Sequence, residues 1–176
     1  MEKKVKFYRV DKPWSKMTAV EKRKTLAQDT ILHILDGAIK PTRGDYCQLD
    51  SNKVDTDNLQ EDLKQKGACN VCAMGGLMAS SIIKTNKFYG SWSEDDIEKR
   101  LKGVYSRGHL RLIETAFEGW VVSGHDQLQD GYGKNLPITK EAIKFRKGLG
   151  SSKPRLIAIM ENIIADPNGK FLGCKF

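Results

Sequence analysis

The sequence has no apolar run long enough to cross a bilayer. A membrane helix needs about 20 consecutive apolar residues, whereas the uncharged stretch Asn70 to Ile83 is too short and is rich in Gly, Ala and Ser. The opening residues, MEKKVKFYRV, are basic without an apolar core, so they do not read as a secretion signal. Both absences predict a soluble, cytoplasmic chain with reduced thiols. There is no Gly-x-x-x-x-Gly-Lys phosphate loop and no His-x-x-His pair, and Cys69-x-x-Cys72 has no second Cys-x-x-Cys. A structural zinc knuckle normally draws on two such pairs. Paired carboxylates such as Asp95-Asp96 and Glu61-Asp62 stand at helix starts or in loops, with no catalytic motif around them.

What is present suits one folded domain. The chain has 176 residues, 39% hydrophobic and 30% charged, enough for a core and too apolar for disorder. No repeat, low-complexity segment or linker divides it, so residues 1–176 read as a single domain. Residues 1–16 read as an extended arm, with room for a small hairpin. The formal net charge is +8. Residues 1–40 hold ten Lys and Arg against five Asp and Glu; residues 139–156 hold six against one. A basic surplus gathered in two places favours anionic partners.

The fold class predicted is mainly α, with six or seven helices and two long polar loops. Thr18-x-x-Glu21 is a capping box opening a helix over about 18–36, and Gly37 stops it. A polar loop then covers 40–57, and a short helix is expected at 57–66. The stretch 70–84 is apolar on two faces, which marks a buried central helix. Gly75 and Gly76 weaken it by about 1 kcal/mol each relative to Ala, so they are expected to admit a neighbouring backbone. Ser93 caps a further helix, a break is expected near Arg107-Gly108, and an amphipathic helix carries Leu110, Ile113, Phe117 and Trp120. Residues 123–137 form the second polar loop. A basic helix runs to Gly148, and Pro154 opens the last one.

Three chemistries compete. The first is anion binding. Arg43 and Tyr46 share one loop, while Arg107, His109 and Arg111 share a short span, and guanidinium groups with aromatic rings suit phosphates and bases. Lys153 and Arg155 beside a helix start add a weaker anion seat. The second is a cysteine-dependent hydrolase using Cys72 with His125 or His109. Cys72 opens a helix and His125 precedes Gly131-Tyr132-Gly133, as in papain-type proteases. However, Ala73 stands where that family has an aromatic residue, Lys66 stands at the oxyanion glutamine, and His125 lies in a polar segment. The third is structural zinc on Cys47, Cys69, Cys72 and Cys174; a thioredoxin-like use of the pair lacks the apolar strand expected ahead of it.

Four phrases taken together resemble a group of small bacterial and phage proteins to which no activity is assigned. They are "RGDYCQ" (43–48), "VCAMGGLM" (71–78), "IETAFEGW" (113–120) and "RLIAIMENII" with "GKF" (155–164, 169–171). In that group an Arg-Gly-x-Cys-Gln phrase precedes a Cys-Ala-x-Gly-Ala-type helix. The resemblance covers most of the chain after residue 25 and implies an intracellular, phage- or mobile-element-type protein. The group's cysteine matching Cys72 needs no partner at the Cys69 position, which weakens the zinc reading. The function expected is therefore binding rather than catalysis. Arg43, Tyr46, Arg107, His109 and Arg111 would contact a nucleotide signal or a nucleic-acid complex, without cofactor or membrane. Inhibition of a host's antiviral defence is the concrete form of that expectation.

Overall fold

The capping box at Thr18 forms. The Thr18 hydroxyl accepts from the Glu21 amide at 3.2 Å, and the Glu21 carboxylate accepts from the Thr18 amide at 2.8 Å. Behind it α1 runs Ala19–Leu35, and Gly37 takes a left-handed φ of 80° to turn the chain. The structure is a computed structural model, and it describes residues 8–88, 91–118, 127–129, 135–137 and 151–171. The hairpin expected at the N-terminus falls partly on residues 1–7, outside that set. Residues 8–16 contain a single 3-10 turn at Trp14–Lys16 and no strand.

The first polar loop contributes two strands to a small sheet. Strand β1 (Ile39–Pro41) pairs in parallel with β3 (Cys69–Val71), and β2 (Cys47–Leu49) pairs antiparallel with the other edge of β3. Each strand has three residues, too few to display a period of two, and β2 is partly exposed. That is why the sequence pattern passes them over. Between β2 and β3 lie a 3-10 turn (Thr56–Asn58) and a short helix, α2 (Leu59–Asp62).

Helix α3 (Ala73–Thr85) follows β3 directly, with Cys72 as its N-cap. Every residue from Ala73 to Ile82 is buried. It is the central helix expected, but it begins three residues later, because Cys69-Asn70-Val71 is strand. Around it pack α1, α2, α4 (Glu94–Leu101) and α5 (Arg107–Glu118). Helix α6 (Ser152–Ala165) lies against α1 and α5. Ser93 caps α4 through the Asp96 amide as expected. The break before α5 comes earlier than Arg107-Gly108. Chain direction changes at Gly103, with φ of 84°, and both Arg107 and Gly108 are helical.

Arg23 ties the outer helices together. Its guanidinium donates to the Val104 carbonyl at 2.7 Å and to the Asn168 carbonyl at 2.8 Å, joining α1 to the turns after α4 and α6. A two-stranded antiparallel ribbon, β4 (Gln127–Gln129) with β5 (Asn135–Pro137), occupies part of the second polar loop. The basic helix expected up to Gly148 lies outside the described residues. No described helix is long and apolar enough to cross a membrane.

Gly75 and Gly76 serve different neighbours. A β-carbon on Gly75 would overlap the backbone carbonyl of Tyr46, whereas one on Gly76 would meet the Thr30 methyl of α1 at 3.3 Å. The close approach expected at this pair is thus to a loop at Gly75 and to a helix at Gly76. A carbonyl in a fixed loop yields far less than a methyl. Gly75→Ala should therefore cost about 3 kcal/mol through backbone displacement. Gly76→Ala should stay within about 1 kcal/mol, its crowding offset by better helix propensity. Urea unfolding of the two variants checks this; equal losses would show that the Tyr46 carbonyl is not the barrier.

Candidate functional site

The residues around Cys72 form a polar clamp. The Cys72 amide donates to the Asp45 carbonyl at 2.9 Å, and its sulfur accepts from the Gly75 amide at 3.4 Å. The Glu114 carboxylate, from α5, accepts from the Met74 amide at 3.2 Å. Glu118, one turn further, takes the Gly44 amide at 3.1 and 3.2 Å. The positive end of α3 is thus already met by a carboxylate supplied by the neighbouring helix. A pocket of about 340 Å³ beside it is lined by Gly44, Tyr46, Arg111, Glu114, Thr115 and Glu118.

Electrostatics within the clamp oppose a nucleophilic cysteine. Burial first, and then the nearby Glu114 charge, push the Cys72 thiol well above its ordinary value, outweighing the hydrogen bond from the Gly75 amide. A thiol must ionise to attack. His109 does not line this pocket; it lines a separate cleft with Arg23 and Lys170. His125 lies outside the described residues. The Cys72 sulfur and the two carboxylates lie within 4.8 Å of one another, a conceivable metal donor set. In the structure the two carboxylates hold backbone amides. Of the four thiols weighed for zinc, Cys69 is on β3, Cys72 caps α3, Cys47 on β2 interacts with Cys69, and Cys174 lies outside the described residues.

The five expected contact residues divide. Arg107 and Arg111, one turn apart on α5, both pair with α4 carboxylates. Arg107 Nε lies 3.1 Å from Glu98, and Arg111 bonds Glu94 and lies 3.7 Å from Glu98. The Tyr46 hydroxyl donates to Glu94 at 3.0 Å, joining the same network. Arg107 and His109 line the large cleft at the N-terminal end of α5, while Tyr46 and Arg111 line the small acidic pocket. Arg43 is exposed on the loop ahead of β2, near Arg155 and Glu118 at the opposite end of α5. That end is about 16 Å from Arg107, at 1.5 Å per helical residue. Arg155 is buried and donates to the Phe117 carbonyl at 2.8 Å, so it closes α5 instead of offering an anion seat.

No protein-family model, curated protein or solved structure matches the chain. Its site is therefore read from its own geometry.

That geometry is dominated by two adjoining basic clefts. The larger, about 680 Å³, is lined by Arg23, Lys99, Lys102, Arg107, His109 and Lys170, with Asp95 and Glu98 as its carboxylates. The second, about 550 Å³, is lined by Trp14, Lys22, Lys84, Lys87, Arg100 and Lys102, and by no acid among the described residues. They share a rim at Lys102-Gly103-Val104. Some of these cations are engaged: Lys84 pairs with Asp29 at 3.3 Å, Lys99 with Asp96 at 3.5 Å, and Arg100 donates to the Thr85 hydroxyl at 2.5 Å. Lys87, Lys102 and Lys170 make no ion pair with any described residue. In the larger cleft, burial first, and then the Lys170 and Arg23 charges, hold His109 below its ordinary pKa. The Asp166 carboxylate acts in the other direction without offsetting burial and the two cations.

Sequence reasoning missed most of this band. The signal was present in Lys22-Arg23-Lys24 and Lys99-Arg100-x-Lys102, and in the surplus of the first forty residues. Only the packing of α1, the end of α3 and the α4–α5 turn brings those separate runs to one edge.

Two outcomes test the clamp. Glu114 is raised to about 7, chiefly by burial. Its folded value exceeds the unfolded one, so its contribution favours folding below about pH 4.5 and is lost as pH rises through about 7. The full swing is about 3 kcal/mol at most. Glu114→Gln should remove that part of the pH dependence, leaving the variant more stable relative to wild type at pH 8 than at pH 5; parallel stability curves would contradict the assignment. Native-state alkylation with iodoacetamide, read site by site by mass spectrometry, should leave Cys72 unmodified at pH 7.5 long after an unfolded control has reacted. Rapid labelling there would restore the hydrolase reading.

Proposed function

We propose that the protein is a binding protein for a phosphate-bearing anionic partner, held along the two joined clefts. One observation carries this reading: nine lysines and arginines line the pair of clefts against two carboxylates. Among them Lys87, Lys102 and Lys170 make no ion pair with any described residue; Lys102 stands at the shared rim, Lys87 lines the second cleft and Lys170 the larger one. A surface selected only for solubility would intersperse both signs. Concentrated positive charge in a concave site raises the local concentration of an anion and its rate of arrival. Arg107 and His109 belong to this site, whereas Tyr46 and Arg111 support it at one remove, by fixing Glu94 and Glu98 and thereby the position of α4.

Catalysis is the weaker reading for a stated reason. Cys72, the one candidate nucleophile with helix-start geometry, is buried and disfavours the thiolate. The resemblance to phage-type proteins is compatible with a partner in a host's defence machinery, and the basic clefts support an anionic, phosphate-bearing partner.

Fluorescence anisotropy with a labelled oligonucleotide tests the proposal. The variant Lys102→Glu with Lys170→Glu alters two side chains that hold no described ion pair, so folding should survive. Affinity should fall at least tenfold. The dependence of log K on log salt should flatten by about 0.7 for each single-strand phosphate that is no longer neutralised. Unchanged affinity and slope would remove the clefts as the site.

A further inference from the structure

Resting on the reading of the clefts as a phosphate-binding site, we infer that the ligand is single-stranded nucleic acid, with one base stacked on Trp14. The second cleft is where the two halves of such a ligand meet their chemical complements. Trp14 stands on the 3-10 turn Trp14–Lys16, half-buried against the core, and forms part of the cleft wall. Lys22 holds the indole from one side, its ammonium 5.4 Å from the ring centroid. That contact fixes the ring and places a further positive charge next to it. The remaining charged groups of this cleft are all cationic.

An indole beside unopposed ammonium groups is the pairing that single strands require. The cations follow the phosphodiester backbone while an aromatic face takes an unpaired base, and any base has a face to offer. A duplex would leave the indole unused, because its bases are already stacked and its backbone cannot fold into a recess. Duplex readers place a helix or ribbon into a groove instead. A mononucleotide would fill one cleft and leave the other. The shared rim at Lys102-Gly103-Val104 joins the two recesses, so a strand seated on Trp14 passes Lys102 into the larger cleft, where Lys170 and four further cations outnumber the carboxylates of Asp95 and Glu98. Gly103, with φ of 84° and nothing within 4 Å of where a β-carbon would sit, keeps that rim low.

The experiment uses the full chain with three probes: fluorescein-labelled dT15, the matching dT15·dA15 duplex, and a labelled mononucleotide. Wild type should prefer dT15 over both others. Trp14→Ala should weaken dT15 about tenfold, Trp14→Phe should recover most of the loss, and the residual duplex binding should respond to neither. Because Trp14→Ala could loosen the turn, a second readout is independent of stability. Unlabelled dT15 should quench wild-type tryptophan emission, and the quenching should be smaller in Trp14→Phe. Equal affinity for strand and duplex, or full dT15 affinity in Trp14→Ala, would overturn the single-strand assignment while leaving the phosphate site standing if Lys102→Glu with Lys170→Glu still weakens binding. Mononucleotide binding as tight as dT15 would overturn it in favour of a nucleotide. No binding of any probe would overturn both readings.

Discussion

The backbone carbonyl of Tyr46 rests on the first turn of α3 where Gly75 has no side chain, and the rest of the fold is arranged around that contact. It requires glycine at Gly75, and it fixes the loop 42–46 against the central helix. The same loop gives its Gly44 amide to Glu118, its Asp45 carbonyl to the Cys72 amide, and the Tyr46 hydroxyl to Glu94. One five-residue segment thereby joins the sheet to α3, α4 and α5. Cys72 belongs to this arrangement as an N-cap, a small group that accepts from the Gly75 amide and fits beneath the Tyr46 carbonyl. The Cys-x-x-Cys spacing follows from a strand that ends where a helix begins.

The proposed site depends on the same constraint at a distance. Glu94 and Glu98 hold Arg107 and Arg111, and Glu94 also receives Tyr46. Helix α4 is therefore registered against α5 by charge and against the 42–46 loop by a hydrogen bond. Partly buried pairs of this kind set geometry more than they add stability. What they position is the turn 102–106, and that turn is the rim between the two basic clefts. Arg23 anchors it from α1 through the Val104 carbonyl, and the buried Tyr105 hydroxyl donates back to the Arg23 carbonyl at 3.2 Å.

The helices were legible because each carries a local signal. Thr18 and Ser93 announce caps, and the apolar spacing of α5 reads directly, while the unbroken burial of α3 matches its two apolar stripes. The sheet was illegible because three-residue strands have no measurable period and their partners come from 20 to 30 residues away, as Leu49 with Cys69 and Lys40 with Asn70 illustrate. The proposed binding surface was half legible. Arg107 and His109 stood out because they are neighbours in sequence, while Lys87, Lys102 and Lys170 did not, because each is an ordinary surface lysine until the packing sets them on one edge. Arg43 and Arg111 attracted attention for the same reason as Arg107, yet one lies at the far end of α5 and the other is held by Glu94.

The central claim is that this edge, and no other, receives the anion. The most direct measurement is a residue-resolved map of amide chemical-shift changes on titrating a short unlabelled oligonucleotide into the full chain. The account predicts changes centred on Lys102, Gly103, His109 and Lys170 and spreading to Trp14 and Lys87. Changes centred instead on Gly44, Tyr46 and Glu118, or an undisturbed spectrum at saturating oligonucleotide, would contradict it.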